Sequence, residues 1–210
     1  MRGFFLNGGG TCWIQRVDGQ PGAGHVGAQT LSRLLDAPAS LIAFPDAYGL
    51  AGGAATAAAL QRRLIGAAAE SQNRMVVVDP PPGLIPADAV LWRRRTGVDS
   101  AAAVVYYPWI EVLGAAAADA VTVPPCGHVL GSWVRAEDDG GLHRAPTAQP
   151  LLGVDGLPAS LTAAEPRSLN RQGVNCLRAF PGPSRGSGGR ERCPPTPTGV
   201  TCTAGEPSPT

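Results

Sequence analysis

The sequence predicts an α/β domain built on a doubly covered, mostly parallel sheet. Three observations predict it. Apolar, β-branched runs alternate with helical stretches as far as about Asp139. The runs are continuously apolar, as in strands buried on both faces. Three prolines stop the run RMVVVDPPPG (Arg74–Gly83), and prolines open two of the helical stretches.

The elements follow in order. TCWIQRV (Thr11–Val17) alternates and is rich in strand formers, which predicts a strand. AQTLSRLLDA (Ala28–Ala37) sets Leu31, Leu34 and Leu35 on one helical face. SLIAF (Ser40–Phe44) is a short buried strand, and the Ala-rich stretch Gly52–Ser71 is a strong helix. The run RMVVVDPPPG gives the next strand. Pro86 opens a helix in IPADAVLWRRRTG (Ile85–Gly97). AAAVVYYPWI (Ala101–Ile110) reads as one more buried strand. Val123–Gly141 starts with prolines suited to a first turn and reads as a helix ending at Gly140. A polar connection follows, then a short helix-like piece, SLTAAEPRSLNRQG, and the strand VNCLRAF. Cys193–Thr210 shows no hydrophobic period, strand run or helical stripe. From Pro183 on, the composition predicts disorder.

Composition narrows the function. A length of 210 residues suits one domain with an appendage. The formal net charge is +1, so no global field draws in nucleic acid or membrane. All 17 basic residues are Arg. Five cysteines, an odd number with no CxxC and no signal peptide, predict a reducing compartment rather than a disulfide framework. The longest apolar stretch contains Pro108 and Glu111 and is no membrane span.

Four constellations invite a chemical reading. GAGHVG (Gly22–Gly27) fits GxGxxG, with Asp46 about twenty residues on where a ribose acid would stand. The first glycine should follow its strand directly, but DGQP intervenes and Pro21 occupies the turn, so a surface loop is the plainer reading. Asp79, His128 and Ser132 come in the chain order of subtilisin-like hydrolases. His128 and Ser132 are four apart on one helix, however, whereas a nucleophile needs its own element and oxyanion donors. Cys126 and His128 could begin a metal site but have no evident third ligand. Tyr106, Tyr107 and Trp109 could stack on bases but lack a basic surround. The residues alone leave an enzyme and an assembly part both open.

Several strings in order resemble the contractile tail sheath family of phages and phage-like injection systems. They are VVVDPPPG, with Asp79 and Pro80, and AVVYYPWIEV, with Tyr106, Tyr107, Pro108 and Trp109. Next comes VPPCGHVLGSWVRAEDDGGLHRAP, with Pro124, Pro125, Gly127, Gly131, Ala145 and Pro146. The last is LNRQGVNCLRAFPG, with Asn170, Gly173, Asn175, Arg178, Phe180, Pro181 and Gly182. Near the start, GFFLNGGGTCWIQRV is similar to a strand of the same family. The resemblance spans about Gly3 to Gly182, and it places GAGHVG in a loop that varies in the family.

The resemblance implies a subtilisin-like sheath domain without peptidase activity, and no cofactor. It implies a structural subunit that polymerises around an inner tube and contracts to drive it through an envelope. The expected partners are other copies, the inner tube protein and baseplate or terminator proteins, with neither nucleic acid nor membrane insertion. Assembly is expected in the cytoplasm, and the product in a phage tail or phage-like particle. The expected organisation is a partial sheath core at 1–141, the start of a small C-terminal α+β domain at 142–182, and a disordered tail at 183–210.

Family members carry a region before the GFFLNGG-like strand, so the chain is expected to lack an N-terminal part. They also continue with a pattern like TRVWGARTLSSDPxWRYVN. Regrouping each codon as the last base of its predecessor plus its own first two turns Pro into NCC, Thr into NAC and Gly into NGG. With CGN for each Arg and TCN for Ser187, Gly186 to Thr203 can be read as RVWGARTLSSDPDWRYVN. The expectation is a tail read in a shifted frame, with the slip between Gly182 and Arg185. The gene's nucleotide sequence decides it.

Overall fold

Strand and helix alternate through the molecule much as the apolar runs predict. The computed structural model describes residues 1–16, 28–71, 73–114, 119–140, 149–158, 161–180 and 199–203. Four strands form the parallel part of a sheet: β1 (Leu41–Ala43), β2 (Met75–Val78), β3 (Ala103–Tyr107) and β7 (Val174–Phe180). The registers are Leu41 opposite Met75, Val76 opposite Ala103 and Val105 opposite Val174. β8 (Gly199–Thr203) pairs antiparallel with β7, and β6 (Pro150–Leu151) pairs antiparallel with β8. β4 (Ile110–Leu113) and β5 (Ala120–Val123) form a separate antiparallel pair.

Strand residues alternate between two apolar layers, as the pleat requires. Val76, Val78, Val105, Tyr107, Val174 and Cys176 face one layer. It is filled by α2 (Ala28–Asp36), α3 (Gly53–Ser71), α4 (Pro86–Thr96) and α6 (Glu165–Arg171). Val77, Tyr106 and Leu177 face the other, with Cys126 and Val129 of α5 (Cys126–Gly140). A one-residue slip of any central strand would exchange the two sets, so burial on both faces fixes the register. Pro86 sits at the first turn of α4, and Gly97 ends that helix with φ 67°.

The structure departs from the sequence reading in five places. Thr11–Arg16 is not a strand, and Val17 lies outside the described residues. No described strand edge pairs with this segment, and Trp13 and Ile14 are exposed. Arg2–Leu6 forms a five-residue helix, α1, too short to show a period. The run Ala101–Ile110 is not one strand. β3 ends at Tyr107, the Tyr107–Pro108 peptide is cis, and Pro108 has no N–H to continue a ladder. The chain turns there into β4. α5 begins at Cys126 rather than at the prolines, because Val123 belongs to β5. Gly199–Thr203, where composition predicts disorder, is a strand. Its residues Val200, Thr201 and Thr203 are β-branched, and it covers the edge of β7 from Cys176 to Phe180. β6 and β7 belong to this same sheet, and α6 packs against β7.

Candidate functional site

In open α/β sheets, ligands bind beyond the carboxyl ends of the strands, so chemistry would be sought just past β2. That position holds Asp79 and the proline loop. The main-chain carbonyl of Asp79 accepts hydrogen bonds from Tyr48 Oη at 2.8 Å and Gln61 Nε2 at 3.0 Å. Trp109 Nε1 donates to the carbonyl of Pro80 at 2.8 Å, and Tyr107 Oη donates to that of Leu84 at 2.8 Å. The Asp79 carboxylate accepts the main-chain N–H of Cys126 at 3.2 Å. It therefore caps the first turn of α5 from another element, where the helix presents free donors. Tyr48, Gln61, Tyr107 and Trp109 thus hold the loop, and the loop's own Asp79 holds α5.

Burial sets the charge states here. Asp79 is 3% exposed, and desolvation pushes its carboxyl up to about 7 against the opposing hydrogen bonds from Cys126. The Cys126 thiol is pushed up by burial and by the neighbouring carboxylate, so it is no reactive thiolate. His128 lies against the backbone of Gly3, where an added Cβ would run into the imidazole. Burial, and then the N-terminal ammonium, lower it to about 4, so it is neutral at physiological pH.

These facts lend the hydrolase alternative no support. Asp79 is spent on Cys126, and Ser132 is wholly buried on α5 with no access for a substrate. Tyr106 and Tyr107 are buried too and cannot stack on bases. Trp133 Nε1 donates to Tyr106 Oη at 3.0 Å, which ties α5 to β3. Among the described residues no group of three or more His, Cys, Asp or Glu side chains converges. The GAGHVG loop lies outside the described residues, and nothing else supports dinucleotide binding. A cleft of about 890 Å³ opens between Thr11–Gln15, β1 and α5. Among the titratable groups on its walls, Arg2, Asp46, His128 and Glu137 form no ion pair with one another. No described helix is long and apolar enough to cross a membrane.

The remaining motif residues have structural posts. Pro124 and Pro125 lead into α5, and the Pro125 carbonyl accepts the N–H of Val129. Gly131 faces the backbone of Phe4 in α1, whereas Gly127 faces open space. Asn170 Oδ1 accepts the N–H of Cys176 at 3.3 Å, which fixes the entry into β7. Asn175 stands opposite Tyr106, Arg178 opposite Thr201 and Phe180 opposite Gly199. Ala145, Pro146, Pro181 and Gly182 lie outside the described residues. Sequence reasoning missed Tyr48 and Gln61. Gln61 left a signal: it sits on the buried stripe Ala57, Gln61, Leu64, Ala68 of α3, where a polar side chain needs a partner.

Gly173 has φ +73°, and a Cβ there would lie 2.6 Å from Cζ of Arg93. Gly173→Ala is therefore expected to lower stability by about 1–2 kcal/mol, the penalty of a left-handed residue with a side chain. Urea unfolding measures it, and an unchanged midpoint would contradict the assignment.

A family model described as the phage tail sheath protein central domain matches residues 24–184. The chain belongs to the phage tail sheath protein family. Solved sheath structures share its fold. The contracted helical sheath of the anti-feeding prophage superposes with a TM-score of 0.64 at 22% identity, covering 97% of this chain and 48% of that one. The contracted sheath complex of PVC, an extracellular contractile injection system, gives 0.63 at 17%, covering 96% and 46%. A chain of the six-fold symmetrised anti-feeding prophage baseplate gives 0.59 at 21%, covering 97% and 47%. This sheath-family chain thus spans about half the length of those structures. No curated protein matches the sequence. The resemblance carried by VVVDPPPG, YYPWIEV and the later strings is upheld, and so is the mostly parallel α/β fold.

Proposed function

We propose that the protein is a structural subunit of a contractile tail sheath. It polymerises with its own copies around an inner tube, docks on baseplate and terminator proteins, and contracts to drive the tube through an envelope. The match to the sheath central domain over residues 24–184 carries this reading. The site supports it, because the residues at the sheet's carboxyl end are consumed in fixing the loop and α5. We assign the motif residues to the shape of the subunit rather than to catalysis. A lattice that switches between two packings needs rigid building blocks, since contraction is then a rearrangement between bodies. Contacts that do not close a ring generate helical polymers. In this reading the subunit is not an enzyme, requires no cofactor, and neither enters a membrane nor binds nucleic acid. It assembles in the cytoplasm before the particle is complete.

Sedimentation velocity and negative-stain imaging of the purified chain test this. Rings, tubes or concentration-dependent oligomers are expected. A monomer at every concentration, with saturable dinucleotide binding or labelling of Ser132 by a serine-reactive probe, would overturn it.

A further inference from the structure

Two exposed patches carry charge of opposite sign. Glu137 and Asp138 lie in the last turn of α5, which has no basic residue. A helix C-terminus carries negative partial charge, so this placement is locally repulsive. Arg167 lies in the first turn of α6, where the partial charge is positive. Arg171 follows four residues on, along the same face of α6. α4 packs against α6 and adds Arg94 and Arg95 in its last turn. Arg94 donates to Gln172 Oε1 at 2.8 Å, so its charge is uncompensated. All six side chains are exposed, and none forms an ion pair with another described residue. The nearby ion pair, Arg93 with Asp99 at 2.9 Å, leaves them untouched.

The patches lie in different layers. α4 and α6 cover one face of the sheet and α5 covers the other. The sheet separates them, so neither patch can satisfy the other within one molecule. We propose that the arginine face of α4 and α6 receives the acidic end of α5 from a second copy of this chain. The charge complementarity selects the occupant, and the contact is heterologous, so it propagates from copy to copy. This inference rests on the self-assembling reading above and names one of its contacts.

A charge-swap experiment tests it. The variant Arg95→Glu/Arg167→Glu/Arg171→Glu makes both patches acidic. The variant Glu137→Arg/Asp138→Arg makes both basic. Association is followed by sedimentation velocity at 20 mM and 300 mM NaCl, with circular dichroism melts to confirm folding. Wild-type association is expected to weaken about tenfold or more at the higher salt, where exposed charges are screened. Each variant alone is expected to lose association, and an equimolar mixture is expected to regain it with the two alternating. Regain on mixing cannot come from a folding defect. Variants that associate like the wild type, or a mixture that stays dissociated, overturn the inference and leave the sheath reading standing. A wild type that stays monomeric at 20 mM NaCl overturns both.

Discussion

The Asp79→Asn variant is expected to gain stability as pH rises from about 4 to 6.5, where the wild type loses some. The wild type holds two buried groups with opposite linkage. Asp79 has its carboxyl raised from 3.8 to about 7. The folded state therefore binds a proton that the unfolded chain has released, and stability falls as pH rises through that window. At about 1.36 kcal/mol per unit the full fall is about 4 kcal/mol. His128 is lowered from 6.5 to about 4. The unfolded chain binds the proton there first, so the stability of the neutral imidazole is present above 6.5 and lost as pH falls toward 4. Its share is smaller, because the group keeps some contact with solvent.

The two slopes oppose one another over almost the same range. Asp79→Asn removes the falling branch and keeps an oxygen to accept the Cys126 N–H. His128→Gln removes the rising branch, and that variant should lose about 3–4 kcal/mol between pH 4 and 7. Urea unfolding across pH measures both. If Asp79→Asn falls with pH as the wild type does, Asp79 is not the proton-binding group described above.

The sequence made the scaffold legible for a physical reason. Strands covered on both faces are mostly apolar, so β1, β2, β3 and β7 announce themselves in LIA, MVVV, AVVYY and VNCLRAF. The helices carry their own punctuation, such as Pro86 at the start of α4 and Gly97 at its end. Elements that depend on a partner were less visible. β4 and β5 pair with one another apart from the main sheet, with one further bridge from Glu111 to Gly156, and VVYYPWIEVL hides the boundary because both sides of Pro108 are apolar. Alternation in TCWIQRV is real, yet a strand forms only where an edge accepts its hydrogen bonds. β8 exists as the neighbour of β7 and β6, which its local composition does not show.

The candidate site divides the same way. The motif strings pointed to the right residues, but not to their tasks. Asp79 and Cys126 are 47 positions apart, and nothing local says that the carboxylate caps that helix. The triad order of Asp79, His128 and Ser132 was a coincidence of spacing. Ser132 is wholly buried, which gives a nucleophilic reading no support.

Gly131→Ala is expected to destabilise the protein by about 2–3 kcal/mol, in the range of an overpacked core contact. Propensity alone points the other way, since alanine replaces glycine inside α5. The difference lies in what the new Cβ meets. It would collide with the carbonyl oxygen of Phe4 and stand 2.9 Å from Cβ of Asn7 and 3.0 Å from the Phe4 carbonyl carbon. Backbone cannot rotate aside as a side chain can, so α1 has to move off α5. That move also strains a wholly buried side chain. Asn7 Nδ2 donates to the Leu152 carbonyl at 3.0 Å, and its Oδ1 accepts the Leu152 N–H at 2.7 Å. Pulling α1 away breaks this two-way clasp between the N-terminus and the chain just after β6. Gly127→Ala is the matched control. It lies one turn earlier on the same helix with nothing within 4 Å, and it should stabilise by about 0.5–1 kcal/mol. Opposite signs for the two substitutions in urea unfolding, with faster proteolysis of the first ten residues in Gly131→Ala alone, are the expected result. Equal effects would mean that α1 does not rest on Gly131.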